Sequence, residues 1–356
     1  MHPLALRPRD GGVRIAGVDI ARGLAIVGMF VAHVIPRGTD SELLVDGRSA
    51  ILFATLAGVS LGIMTGGAQP LVRGQRTARV ESILLRALLL FALGGVLGSL
   101  NTGVAVILDY YGLMFLVLTP LLFLHRWILA GIGCTFLVTA PLLGAGRDEL
   151  DGTQPPLAYF VDYYFLNGSF PILIWVPFLL VGLIAARSNL TRERTQVAMA
   201  GFGASAAGAG YGAAAFVPGV SAVAHSGTIA EVVGSGGLAI SIIGGVLWIT
   251  APRRRSLGAA VRGALWPIGA IGSMALTVYT LQILALAICV ALLERGGGID
   301  YPGWPLLIGM LLASLIGASL WRYFLGTGPL ERLFAAATRA SLGRLPRRSR
   351  GIGTHT

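Results

Sequence analysis

Residues 17–34 read Gly-Val-Asp-Ile-Ala-Arg-Gly-Leu-Ala-Ile-Val-Gly-Met-Phe-Val-Ala-His-Val. Apart from Asp19, Arg22 and His33 the run is apolar, and about 20 such residues are what an α-helix needs to cross a hydrocarbon layer. A cleavable leader would have a shorter apolar core and a small-residue cleavage site, so the run predicts a retained first transmembrane helix. Outward from it the pattern repeats. Ten apolar segments, at 16–36, 49–67, 82–100, 104–124, 127–145, 170–186, 196–217, 228–250, 264–293 and 304–325, predict an all-α polytopic membrane protein with about ten transmembrane helices. Asp109 crowds the start of the fourth, and Pro171 and Pro177 interrupt the sixth.

Composition agrees. Of 356 residues 55% are hydrophobic and 12% charged, with a mean hydropathy of +0.77; a water-soluble domain carries about twice that charged fraction, which excludes an ordinary soluble enzyme. No polar stretch is long enough to cover a second core. The chain therefore divides into a tail at 1–15, one membrane domain at 16–325 and a basic tail at 326–356. That second tail contains a short amphipathic helix with Leu330, Leu333 and Phe334 on its apolar side. The 51 glycines, dense between Gly201 and Gly212, suit close helix packing in lipid.

The net charge of +11 comes from 27 arginines with no lysine. A basic excess often points to nucleic acid, but these arginines alternate between loops instead of forming a patch, so no nucleic-acid partner is expected. Arginine in short loops marks the cytoplasmic side. With the N-terminus inside, Arg7, Arg9, Arg14, Arg73, Arg76, Arg79, Arg126, Arg187, Arg192, Arg194, Arg253, Arg254, Arg255 and Arg262 fall inside, as does the arginine-rich C-terminal tail. The opposite loops hold Arg37, Arg48, Arg147 and Arg295 among many acids, including Glu42, Asp46 and Asp162. Both termini are predicted to be cytoplasmic in a multi-pass protein of the cell membrane.

Two motifs fail on context. Gly58-Val-Ser60-Leu-Gly62 spells G-x-S-x-G, but a nucleophile elbow needs a strand-to-helix turn above a sheet. Gly201-Phe-Gly203-Ala-Ser-Ala206 mimics a dinucleotide fingerprint with no preceding strand and no following acid at the expected distance. Cys134 and Cys289 fall inside predicted spans, so neither a disulfide framework nor a metal cluster is expected.

Charges in a membrane helix face the protein interior or a cavity. At about 100° per residue, Arg22 and His33 lie roughly 300° and 320° round from Asp19, on one face. The 14 residues from Asp19 to His33 rise about 21 Å, which puts the charged pair near the cytoplasmic end and the histidine near the outer end. Asp19 and Arg22 are equally readable as a structural ion pair, and His33 as a satisfied interfacial histidine.

The wording of this helix, from Arg14 through Asp19, Arg22, Gly23 and Ala25 to His33, resembles the opening helix of the transmembrane acyltransferase superfamily. Its D-x-x-R-G-x-A start is shared by the heparan-alpha-glucosaminide N-acetyltransferase family and by bacterial membrane O-acyltransferases, and the likeness is closest to bacterial YeiB-like members of the former. Gly47-Arg48 to Gly58, Gly272-Ser273-Met274-Ala-Leu-Thr277 and Gly328-Pro329-Leu330-Glu331 carry the resemblance along most of the chain. It implies an acetyl-CoA-dependent acyltransferase moving an acyl group, expected to be acetyl, from cytoplasmic coenzyme A to an extracytoplasmic glycan or glycolipid. The heparan enzyme has asparagine where His33 stands and its catalytic histidine in the following loop, whereas residues 37–47 here contain none. His33 matches the first-helix histidine of the O-acyltransferases, so the resemblance leaves O- and N-acylation both open.

On that map His33 is the general base on the acceptor, or the transient acyl carrier. Glu231 or Asp109 is the carboxylate that orients it. Asp19 and Arg22, with Arg79 and Arg86 as phosphate forks, form the donor end, and Ser273 and Thr277 line the pantetheine arm. The stripe of Ser273, Thr277 and Thr280 reads equally as interhelical hydrogen bonding. Arg48, Tyr111 and His225 are the substrate-binding residues on the outer side. A tunnel is expected from Arg22, Arg79 and Arg86 to His33. The alternative is a multispanning transporter or flippase for a small or lipid-linked solute, with Asp19, Arg22, Arg86 and Glu231 lining a pathway; against it, no inverted repeat or paired broken helices are visible. A non-catalytic envelope subunit is a third possibility.

Overall fold

The computed structural model describes residues 14–35, 42–144, 155–293 and 301–343, and among these every regular element is helical. The elements are α1 (Ala16–Val34), α2 (Arg48–Met64), α3 (Arg73–Gly98), α4 (Leu108–Leu118), α5 (Arg126–Gly144), α6 (Pro156–Val161), α7 (Ile172–Arg187), α8 (Glu193–Phe216), α9 (Ile229–Ile249), α10 (Arg255–Ala264), α11 (Trp266–Ser273), α12 (Ala275–Leu293), α13 (Trp304–Phe324) and α14 (Pro329–Gly343). All ten apolar segments coincide with helices. Six of these, α1, α3, α5, α9, α12 and α13, are long and apolar enough to cross a membrane; α6 and α7, with the π-helical turn between them, make a seventh if their pair, bent by 51°, is one span. This is compatible with a multi-pass membrane protein.

Two helix breaks interrupt the bundle, the first of them at Pro171, one of the prolines noted in the sixth segment. One is the α6–α7 bend; the other splits the ninth segment at Met274, whose φ of −130° and ψ of 44° lie outside helical values. The break leaves the first amides of α12 without carbonyls a turn earlier. Glu331, on α14, supplies the missing acceptors: its Oε1 takes the N–H groups of Leu276 (2.8 Å) and Thr277 (3.2 Å), and its Oε2 takes the Thr277 hydroxyl (2.6 Å). A carboxylate also suits the positive end of a helix dipole. The stretches 272–277 and 328–331, which separately carry the resemblance, thus form one joint. Of the expected apolar side of α14, Phe334 is buried in the core while Leu333 is 61% exposed.

Helix α1 is the hub, touching α2, α9, α11, α12 and α13. Its approach to α11 is backbone on backbone: a Cβ on Gly23 would strike the Ile268 carbonyl, and one on Gly272 the Asp19 carbonyl. Neither obstacle is a flexible side chain. Gly272→Ala should therefore lower stability by about 1–3 kcal/mol or more, the cost of overpacking a closed contact, seen as a reduced thermal midpoint in detergent. Gly245→Ala on α9, where a Cβ has open space, should leave the midpoint unchanged.

The two rejected motifs are packing surfaces. Gly58 and Gly62 seat α2 on Leu179 and Ala186 of α7, and Gly203 seats α8 on Gly237 and Ser241 of α9. At one end of the bundle, Arg187 is buried with Nη hydrogen bonds to the carbonyls of Gly62, Gly67 and Leu122 and to the Thr65 hydroxyl. It knots α7 to the ends of α2 and α4, and Arg76 stacks over Phe123 beside it, 4.6 Å from the ring centre. The residues before Arg14 and after Gly343, and the acids at 148–151, lie outside the described residues, so those parts of the charge pattern have no structural counterpart here.

Candidate functional site

Two cavities flank opposite ends of α1, one at its N-terminal end, named the inner cavity for its place on the helix, and one at its C-terminal end, named the outer cavity. The inner one, about 460 Å³, is lined by Arg14, Asp19 and Arg22 at the start of α1, by Arg86 of α3, by Ser273 at the helix break and by Glu331. Asp19 is buried, with Arg22 Nη1 3.4 Å from its Oδ1, and Arg322 Nη2 and Arg14 Nη1 at 3.7 and 3.9 Å from its Oδ2. One carboxylate thus faces three guanidiniums. Arg22 also donates to the Gly272 carbonyl (3.2 Å) and to Ser60 Oγ (2.8 Å), so it joins α1, α2 and α11. Arg86 is different: its one hydrogen bond among the described residues is a weak contact of 3.8 Å with Met64 Sδ. A half-buried cation with so poor an acceptor retains donors for an anionic guest.

Ser60, the middle residue of G-x-S-x-G, donates to the Leu56 carbonyl at 2.7 Å while accepting from Arg22. Among the described residues no histidine lines this cavity. Ser60→Ala should cost about 1 kcal/mol of stability, one ordinary hydrogen bond, and change any turnover less than about twofold. A hundredfold loss of turnover in a folded variant would reinstate the serine as a nucleophile.

The outer cavity, about 1050 Å³, is lined by His33 of α1, by Asn167 and Ser169 before α7, by Trp175 of α7, and by Thr228 and Glu231 of α9. His33 Nδ1 lies 2.7 Å from Nε2 of Gln282, a buried residue of α12. An amide nitrogen can only donate, so Nδ1 accepts and the neutral ring carries its proton on Nε2. Gln282 Oε1 is buried without a partner, so turning the amide over would break no other hydrogen bond and would leave Nε2 as the base.

Neither expected carboxylate reaches this histidine. Glu231 Oε1 accepts from the His225 amide (2.6 Å), and its Oε2 from the Gly227 amide (2.7 Å) and Ser226 Oγ (3.3 Å); the Glu231 amide in turn donates to Thr228 Oγ1 (3.1 Å). This is a capping-box variant that holds the turn before α9, including His225 at φ +61°. Asp109 accepts from the Tyr164 hydroxyl (3.1 Å) and lines neither cavity.

Other expected site residues are also redistributed. Arg48 donates to Tyr211 Oη (3.0 Å), Glu42 Oε1 (2.5 Å) and the Ala222 carbonyl (3.4 Å); it ties α2 to α8 and to the loop before α9 outside the outer cavity. Tyr111 lines the inner cavity, stacked 5.7 Å from Phe53, and its hydroxyl is buried without a partner. Arg79 is exposed on α3 and does not line the inner cavity. Thr277 is held by Glu331, and Ser273 Oγ donates to the Ala270 carbonyl (2.8 Å) while still lining the cavity. His225 does line the outer cavity, stacked on Trp175 at 6.0 Å. Opposite it, the Tyr301 hydroxyl donates to the Thr102 carbonyl (2.6 Å), and burial pushes that phenol above its ordinary range.

Sequence reading missed Gln282, Arg322 and Glu331. The first had a visible signal, being the one amide side chain in the apolar run of α12. Arg322 sits at a helix end where a base is ordinary, and Glu331, although it closes the stretch 328–331 that carries the resemblance, has no local signal of its role as the acceptor for α12. No group of three or more His, Cys, Asp or Glu side chains able to hold a metal ion occurs among the described residues.

Fold and site together define an all-helical protein of closely packed apolar helices, with a cation-rich cavity at one end of its central helix and a histidine-containing cavity at the other. Residues 181–341, from within α7 to α14, match the family described as Protein of unknown function (DUF418), a YeiB-like membrane family. No curated protein matches the chain.

Proposed function

We propose that the protein is a multi-pass membrane acyltransferase, with ten spans and both termini cytoplasmic, that carries an acetyl group from coenzyme A at the inner cavity to a glycan or glycolipid hydroxyl or amine at the outer one. The observation that carries this reading is the placement of Arg22 and His33 on opposite cavities of one helix, 11 residues and about 16 Å apart, a distance that an extended pantetheine arm can span. Buried Ile26, Met29 and Phe30 of α1 and Tyr279 of α12 separate the cavities. Tyr279 lines the inner cavity, while Gln282, about 4.5 Å further along α12, holds the histidine of the outer one. Tyr279, whose hydroxyl accepts from the Ile107 amide at 3.3 Å, would have to move together with Met29 and Phe30 of α1 to join the two.

In this reading Arg86 and Arg22 take phosphate groups of the donor, and the partnerless hydroxyl of Tyr111 meets the polar part of the arm. His33 then either removes the acceptor proton, after the Gln282 amide turns over so that Oε1 accepts from Nδ1–H, or carries the acetyl group on its unprotonated nitrogen before passing it on. Atoms balance in both routes: the thioester C–S bond breaks, an ester or amide bond forms at the acceptor, and its proton leaves with the thiol.

A transporter gains one argument from the structure, for cavities at the two ends of one helix and a helix broken at Met274 are features of alternating-access proteins. Equilibrium binding of acetyl-CoA to purified protein separates the two. Saturable binding, together with acetyl transfer from radiolabelled donor to membrane glycans, supports the enzyme; no binding at millimolar donor would favour the transporter.

A further inference from the structure

A third cavity lies between α5, α7, α8 and α9. It has a volume of about 340 Å³, and its walls include Cys134 and Leu137 of α5, Val181 of α7, Phe202 of α8, and Val233 and Ile240 of α9. Apart from Cys134 every lining residue is apolar or glycine. Its floor is α7 and α9, and its sides are α5 and α8, which make no extended contact with each other. Helix α5 is peripheral, with 11% of its apolar span buried, and Phe202 is 77% exposed. A gap between two outward-facing helices opens sideways, towards whatever surrounds the bundle.

This groove begins where the outer cavity ends, on three helices at once. On α5 the cavity reaches Pro141 and the groove starts one turn away at Leu137; on α9 the cavity ends at Glu231 and the groove starts at Val232; on α7 Phe178 belongs to both. The two spaces are chemically opposite. The outer cavity offers the exposed side chains of Asn167 and Ser169 beside the exposed ring of His225, which is stacked on the buried Trp175, a setting for hydroxyl groups and for the C–H face of a sugar ring. A ligand that were only a soluble glycan would leave the groove unexplained, and a hydrocarbon alone would leave the polar cavity so.

The geometry points to an amphiphilic acceptor: a polyhydroxylated head group in the outer cavity, carrying a hydrocarbon chain that lies in the groove between α5 and α8 and enters from the bilayer. This deepens the functional reading and rests on its assignment of the acceptor to the outer cavity, but the binding needs no turnover and is tested without it. Gly133 faces the groove, and a Cβ there meets only Leu180 Cδ1, at an ordinary 3.8 Å. A side chain can therefore leave this position into the groove, and Gly133→Trp is the variant chosen to fill it.

The probe is a dodecyl maltoside with a diazirine at the chain end, photolysed with the protein in phosphatidylcholine nanodiscs; cross-linked peptides are then mapped. Cross-links should concentrate on groove residues of α5, α8 and α9. Gly133→Trp should reduce them at least fivefold, as should His225→Asn, at a residue that lines the outer cavity and not the groove and whose positive φ asparagine tolerates, and an excess of unlabelled dodecyl maltoside should compete. Should Gly133→Trp fail to fold, the competition arm decides alone. Equal competition by added phosphatidylcholine, or cross-linking insensitive to His225→Asn, would make the groove an ordinary lipid contact and overturn the proposal. Head-group-dependent binding without any acetyl transfer would sink the acyltransferase reading and leave the amphiphile site standing.

Discussion

Acetyl transfer by a His33→Ala variant is expected to fall by about two to four orders of magnitude, the range over which a positioned general acid or base contributes, while the protein still inserts and folds. His33 is the histidine on α1 that lines the outer cavity, and its ring is held by Gln282 of the neighbouring α12. Truncation removes the base or acyl carrier. It also leaves the Gln282 amide without its partner, which costs about 1–3 kcal/mol of stability. The two effects separate in a single-turnover measurement on nanodisc-embedded protein, with acetyl-CoA affinity recorded in parallel. Transfer should collapse and donor binding should persist, because the inner cavity is built from other residues. A folded alanine variant with full transfer would remove the histidine from the mechanism and return it to a structural role.

Neutralising Arg86 should act on the other end. A hydrogen bond to a charged group contributes about 1.5–3 kcal/mol, so Arg86→Gln should weaken acetyl-CoA binding by roughly 10- to 100-fold with little change in acceptor affinity. The structural cost should be small, since the group's present hydrogen bond is the long one to Met64 Sδ. Arg22 makes a less clean experiment, because its guanidinium also joins Asp19, Ser60 and Gly272 and its loss would loosen three helices. Isothermal titration of wild type and the glutamine variant with acetyl-CoA, and with dephospho-coenzyme A as a second ligand, measures the difference. Equal affinities would assign Arg86 to packing alone.

Much of the helical architecture was legible in the sequence, and so was the division of α1. Asp19 and Arg22 do share a cavity, and His33 does line a second one at the far end, because charge and polarity within an apolar helix are too costly to face hydrocarbon. The arrangement around them was not legible. The expected single tunnel is two cavities, since the packing of Ile26, Met29 and Phe30, all buried on α1, and the Tyr279–Ile107 contact close the middle. Such closure depends on side chains from helices far apart in sequence.

Polar residues near the outer helix ends were the hardest to assign. Glu231, Arg48 and Asp109 each had the residue type and approximate depth of a catalytic or binding group, yet they hold a turn, a helix pair and a tyrosine. Tyr111 lies in the inner cavity despite its place at the start of a predicted outer-to-inner helix. A one-dimensional pattern locates a residue along the membrane normal but gives its direction only within its own helix. It carries no information on which neighbour that face meets.

By itself, then, the sequence determined that the chain is a set of apolar helices, which residues are polar within them, and which motifs lack the local context they need. Hydrophobic length and 3.6-residue periodicity are local properties, so they can be read locally. Only the tertiary structure decided that Gln282 holds His33, that Glu331 caps the helix broken at Met274, and that Phe178 belongs to both a polar cavity and an apolar groove. These depend on backbone approaches permitted by glycines such as Gly23 and Gly272, where the absence of a side chain sets the helix spacing and thereby chooses which distant groups come within a hydrogen bond of one another.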